Sequence, residues 1–272
     1  MKKFFFLLAA CALIATSCDN TQKEPNQKDT SKFSINTIKV EDSIPFPPEA
    51  REEGVVENLA LYSAEVDAPV TENEVLRNSI TSWISSLLNE DYIGDSQDVK
   101  AMVEFDKKAF FEENEEDMEM YQSSVAHSIK MVEDNDRFVT YCCENWFYMG
   151  GAHGITYVEG ATFNKATGKC FSYKMFKNPA QIREMIKTIL QKQYFEPMLE
   201  ETDMTFEDAV YSEIAEAFPL PETNPWIHND SVFFIYQDDE IAAHAFGLPT
   251  CGVPYETLKD QLTEEGMTFF NK

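Results

Sequence analysis

Tyr148-Met149-Gly150-Gly151-Ala152-His153-Gly154 interrupts two stretches of β-favouring sequence. Three glycines within five residues let the backbone turn sharply or approach another group closely. Upstream, Met118–Glu133 and Arg137–Tyr148 flank the turn Asp134-Asn135-Asp136, which predicts one hairpin. Downstream, Ile155–Asn164 and Lys169–Tyr173 flank Ala166-Thr167-Gly168, which predicts a second. His153 falls in the glycine turn between the two.

Outward from this centre, Ser34–Val40 and Gly54–Val66 read as strands around Pro45-Phe46-Pro47-Pro48. Thr71-Glu72-Asn73-Glu74 has the pattern of a capping box. The residues after it place Leu76, Ile80, Trp83, Ile84, Leu87 and Leu88 on one helical face. A second helix is expected over 98–116, with Met102, Phe105, Ala109 and Phe110 at helical spacing. Asn178-Pro179 opens a third, because proline suits the first helical turn. Its apolar face is Ile182, Met185, Ile186, Ile189 and Leu190. Thr205 caps another, carrying Phe206, Ala209, Val210, Ile214 and Phe218. Val232–Tyr236 and Glu240–Ala245 read as late strands, and Tyr255–Leu262 as a closing short helix. Strands cluster and helices cluster, so the expected class is α+β: antiparallel hairpins packed with several helices. Two sequential subdomains are expected, over 41–147 and 148–272.

The start of the chain is an address. Met1-Lys2-Lys3 precedes an apolar run from Phe4 to Ile14, too short for a bilayer span of roughly 20 residues. Small residues Ala15-Thr16-Ser17 follow, then Cys18. This is the pattern of a cleavable export signal over 1–17. It resembles a bacterial lipobox, with Ala15 where leucine is usual, so Cys18 is expected to carry lipid. Residues 18–40 are polar at first, with Thr21-Gln22-Lys23-Glu24-Pro25-Asn26-Gln27, and predict a flexible tether. The expected location is the bacterial cell envelope, lipid-anchored and extracytoplasmic.

Of 272 residues, 48 are Asp or Glu and 22 are Lys or Arg, a formal charge of −26. Nucleic-acid phosphates need a basic surface, so that partner class is excluded. An anionic lipid surface is disfavoured for the same reason. A basic protein partner is favoured by long-range attraction, and solubility alone also accounts for the charge.

Acidic residues crowd Glu112, Glu113, Glu115, Glu116, Asp117 and Glu119. The alternating ligands and turn glycine of a calcium loop are missing there, so a solvated face is expected and no metal is predicted. Apart from Cys11 and Cys18, the cysteines are Cys142, Cys143, Cys170 and Cys251. Cys142 and Cys143 are adjacent in a predicted strand and face opposite sides. A bridge from either to Cys170 or Cys251 and a set of free thiols both remain open. No C-x-x-C spacing supports zinc or redox chemistry.

The segment Gly150-Gly151-Ala152-His153 resembles the G-G-A-H loop of proteins with paired domains of unknown function 4163 and 3298. Phe163-Asn164-Lys165-Ala166-Thr167-Gly168-Lys169 is similar to that family's next strand and turn. Glu240-Ile241-Ala242-Ala243-His244-Ala245-Phe246-Gly247, after Asp238-Asp239, resembles its E-I-A-x-Y-A-x-G stretch. Val253-Pro254-Tyr255 stands where I-P-Y is usual. These matches run in order over 148–258, whereas the first half agrees only in general pattern. His244 departs from the usual tyrosine. The resemblance implies an envelope or secreted protein, and its best understood type is the extracellular lysozyme-binding part of an anti-sigma factor. It implies no lysozyme-contacting residue in this chain. Gly150, Gly151, Ala152, His153 and Gly154 carry over as a structural signature. No transmembrane helix or cytoplasmic sigma-binding segment is expected, so capture fits better than signalling.

Three readings of function follow. The first is a binding module for lysozyme or another basic envelope-directed protein. The second is a hydrolase with His153 as general base. It lacks a G-x-S-x-G elbow and H-E-x-x-H spacing, and no catalytic residue or cofactor is predicted. The third is a glycan-binding lipoprotein, with Trp146, Phe147, Tyr148 and Trp226 as sugar-stacking candidates.

Overall fold

The computed structural model describes residues 32–45, 58–113 and 122–270, within the compact unit Ser31–Lys272. The export signal, Cys18, most of the tether, Phe46-Pro47-Pro48 and the acidic run beyond Glu113 lie outside the described residues.

Five strands form one sheet in the order of the chain: β1 (Ser34–Pro45), β2 (Asn58–Val70), β3 (Ser123–Asp134), β4 (Phe138–Tyr148) and β5 (Ile155–Asn164). All neighbours are antiparallel except β2 and β3, which run parallel. A parallel pair needs a crossover. Helices α1 (Glu74–Leu88) and α2 (Val99–Glu113) provide it and cover one face of the sheet. The helical face expected for α1 is the one that packs: Leu76, Ile80 and Ile84 are buried, with Trp83, Leu87 and Leu88 half-buried. The cap differs from expectation. Asn73, not Thr71, is the N-cap, and its side chain accepts from the Leu76 N–H at 3.1 Å. Thr71 Oγ1 instead accepts from the Asn73 N–H, a turn just ahead of the helix.

The second core lies on the other face of β4 and β5. Strands β6 (Trp226–His228), β7 (Ser231–Ile235) and β8 (Thr250–Pro254) form a three-stranded antiparallel sheet. Helix α3 (Pro179–Leu190), capped by Asn178, buries Ile182, Ile186 and Leu190 in this core. Its continuation widens into a π turn, Gln191–Phe195, just before Pro197, which has no N–H for an α-helical bond. The two layers meet through hydroxyls: Thr140 Oγ1 donates to the Ile227 carbonyl and Thr162 Oγ1 accepts the Ile227 N–H, both at 2.8 Å. Trp226 lies on Gly160, where a Cβ would come within 2.2 Å of the indole.

The class is α+β, as expected from clustering. The division expected at 147/148 falls at the last residue of β4, which is paired with β5 in one sheet. Three local readings are corrected. Lys169–Tyr173 makes only the single bridge Phe163–Cys170 before a 3-10 turn at Tyr173–Met175. Glu240–Ala245 is not a strand: a turn closed by the Glu240 carboxylate on the Gln237 N–H leads into it, and the Asp239 carboxylate takes up the His244 N–H. The helix from Thr205 divides into α4 (Phe206–Ala209) and α5 (Ser212–Glu216) around Val210, which bridges Ala242. Strands β6 and β8 were not expected; β6 is only three residues long, and β8 is five residues long with a glycine and a proline in it.

Candidate functional site

The glycine turn and the segment Asp238–Gly247 meet in space. Gly150 and Gly151 adopt φ of 84° and 97°, in the left-handed region that favours glycine. Gly154 is buried on the Trp146 ring, where a Cβ would lie 2.3 Å from the indole. These residues turn the chain out of β4 and present His153 at the surface.

The partner segment hangs on β5. The side chain of Gln237 accepts the Val158 N–H at 3.1 Å and donates to the Val158 carbonyl at 2.8 Å. It thus imitates one residue of an extra strand. Glu240 closes the turn behind it, accepting the N–H groups of Gln237 at 2.7 Å and Glu222 at 2.9 Å. Burial pushes the Glu240 carboxyl above its ordinary range. Asp239 has φ of 58°, and its Oδ1 accepts from the His244 N–H at 2.9 Å and the Tyr211 hydroxyl at 3.0 Å.

His244 is thereby fixed. Its Nδ1 lies 2.5 Å from Oδ2 of the nearly buried Asp238. The His153 ring stacks on it, with centroids 4.0 Å apart and planes 13° apart. His153 Nδ1 lies 3.2 Å from the Gly154 carbonyl. Carbonyl and carboxylate oxygens only accept, so each neutral ring carries its proton on Nδ1 and Nε2 is the basic nitrogen. The arrangement is a carboxylate-backed, surface imidazole pair able to accept or donate hydrogen bonds and to move a proton.

The expected signature residues Gly150, Gly151, Ala152, His153 and Gly154 therefore form one wall of the site. Sequence reasoning did not single out Asp238, Asp239 and Tyr211 as site residues. The available signal was the carboxylate pair just ahead of Glu240-Ile241-Ala242. The aromatic candidates divide: Trp146 is 39% exposed, whereas Trp226 is buried and stacked on Phe233. Among the described residues, no group of three or more His, Cys, Asp or Glu could hold a metal ion, and no helix is long and apolar enough to cross a membrane. The four cysteines among the described residues, Cys142, Cys143, Cys170 and Cys251, are free thiols.

No family model matches the chain, and no curated protein matches it. Its fold is similar to two solved structures. One is a member of the DUF3298 family from Bacteroides fragilis, with a TM-score of 0.60 and 18% identity over 89% of this chain and 98% of that one. The other is a DUF3298 family protein from Pseudomonas aeruginosa, with a TM-score of 0.53 and 12% identity over 87% of this chain and 97% of that one. The chain thus has the fold found in DUF3298 proteins.

Proposed function

We propose that this is a DUF3298-type binding protein with a DUF4163-like first half, held by lipid at Cys18 on the outer side of a bacterial membrane. In this reading it captures a basic, envelope-directed protein such as lysozyme. The supporting observation is charge: 48 acidic residues against 22 basic ones. Such an excess speeds encounter with a basic protein and makes binding weaken with salt. The shared fold and the meeting of the two signature segments support the family part of the reading. Titrating the purified protein with a basic animal lysozyme, at low and at moderate salt, tests it. Saturable, salt-weakened binding is expected; no saturable binding at either salt would remove lysozyme as the partner. A small basic protein of similar charge, used as a control, separates lysozyme recognition from attraction alone.

A second reading has one observation in its favour. Asp238 and His244 form the carboxylate–imidazole pair that general-base catalysis uses. Hydrolysis of simple esters or acetylated glycans, lost in His244→Ala and in His153→Ala, is the result that would replace binding by catalysis.

A further inference from the structure

A cavity of about 500 Å³ opens between the C-terminal end of α1 and the strands β4 and β5, on the helix-covered face of the large sheet. Its walls are Ser86, Leu87, Asn145, Phe147, Ile155, Tyr157 and Glu159. The hydroxyls of Ser86 and Tyr157 donate to the Trp83 carbonyl and to Glu159, so acceptors are what the cavity offers a ligand.

Glu159 is the centre. Its Oε1 accepts from Trp83 Nε1 at 2.7 Å and its Oε2 from the Tyr157 hydroxyl at 2.5 Å. Both donors are neutral, and among the described residues no lysine, arginine or histidine is ion-paired with Glu159. His127, which faces Asn145 in the β3–β4 register, lies instead against Asp106, at 3.0 Å. Asn145 is 2% exposed and donates through Nδ2 to the Leu87 carbonyl at 3.1 Å. That carbonyl can only accept, which fixes the amide and leaves Oδ1 buried without a hydrogen-bond partner. An orphaned buried acceptor is costly. The end of α1 adds the negative pole of its dipole, and no basic residue occupies its last turn. Phe147 and Tyr157 supply aromatic rings.

We propose that this cavity binds an organic cation, a primary ammonium or a guanidinium, on a short apolar stem. The cation's N–H groups satisfy Glu159 and Asn145 Oδ1, and the stem packs between Phe147 and Ile155. The proposal does not rest on capture of lysozyme, since the same chemistry comes from a free amine or from a partner's lysine or arginine.

Calorimetric titration with butylammonium and with butylguanidinium, against 1-butanol as the uncharged match, reads the preference. Saturable binding of the cations, on the order of millimolar for ligands this small, and none of the alcohol is expected. Glu159→Gln removes the charge and should weaken cation binding about 10-fold or more. Ile155→Lys, at a rim position 54% exposed, offers the cavity its own ammonium and should abolish butylammonium binding without touching the core. Equal binding of alcohol and cation, no saturation, or cation binding unchanged in Ile155→Lys would each overturn the proposal, even if Glu159→Gln fails to fold. Adding a basic lysozyme bears on the source: displacement of butylammonium assigns the cation to a protein side chain, and no displacement removes lysozyme as its source.

Discussion

His153 and His244 lie face to face, 4.0 Å between ring centroids, although one follows β4 and the other belongs to a turn beyond β7. The contact joins the two segments that make up the candidate site. A double-mutant cycle over His153→Ala and His244→Ala should give a coupling of about 0.5–1 kcal/mol in denaturant unfolding, typical of a ring pair. A coupling of zero would mean that the rings only happen to be near each other. His244→Tyr should retain the stack and lose the bond to Asp238.

The glycines at this site and beside it differ in what they require. At Gly151 nothing lies within 4 Å of the place a Cβ would take, so Gly151→Ala meets only the positive φ and should cost about 1–2 kcal/mol. At Gly160 the backbone is ordinary, but a Cβ meets the Trp226 ring, so Gly160→Ala should push β6 off the sheet. Its cost should exceed that of Gly151→Ala, with overpacking alone contributing about 1–3 kcal/mol. Thermal or urea unfolding of the two variants decides the order.

Beneath α2, Tyr62 donates to Asp106 Oδ2 at 2.7 Å, and His127 Nε2 lies 3.0 Å from the same oxygen, without hydrogen-bond alignment. Tyr62→Phe removes the one well-formed side-chain bond that this buried carboxylate has among the described residues. Unfolding should be easier by about 1–3 kcal/mol, and His127→Ala should not restore it.

Glu240 makes stability fall as pH rises. Its folded pKa is raised above 4.5 by burial, so the folded state holds this proton more tightly than the unfolded state. Its contribution is fully present below the unfolded value and is lost as pH climbs through the folded one. The stability of the parent relative to Glu240→Gln should therefore decrease on going from acid to neutral pH. An NMR titration placing the Glu240 midpoint below 4.5 would contradict this.

Burial pushes the thiols of Cys142, Cys170 and Cys251 up to about 12, and Cys143 is shifted in the same direction. Thiolate is the reactive form, so alkylation by iodoacetamide at mildly alkaline pH should be slow in the native protein and fast in denaturant. Mass spectrometry under non-reducing conditions should find no bridge among these four.

Period and punctuation were enough to find most elements. Leu76, Ile80 and Ile84 recur at helical spacing, so α1 was legible, and Asn178-Pro179 marked the start of α3. Short elements were less so. Trp226–His228 is a strand because Thr140 and Thr162 hold Ile227, and both partners are remote in sequence. Glu240–Ala245 has only Ile241 as a β-favouring residue; a turn closed by Glu240 on the Gln237 N–H leads into it, and Asp239 takes up the His244 N–H.

The same division holds for the site. Local sequence determined the α+β class, the acidic charge and the glycine turn that carries His153, because backbone freedom, periodicity and charge are properties of neighbouring residues. The tertiary structure alone decided that His244 stacks on His153 with Asp238 behind it. It alone decided that Glu159 and Asn145 face one cavity. Such contacts depend on strand register and on how two layers pack across β4 and β5, and no local pattern encodes a distance between residues so far apart in the chain.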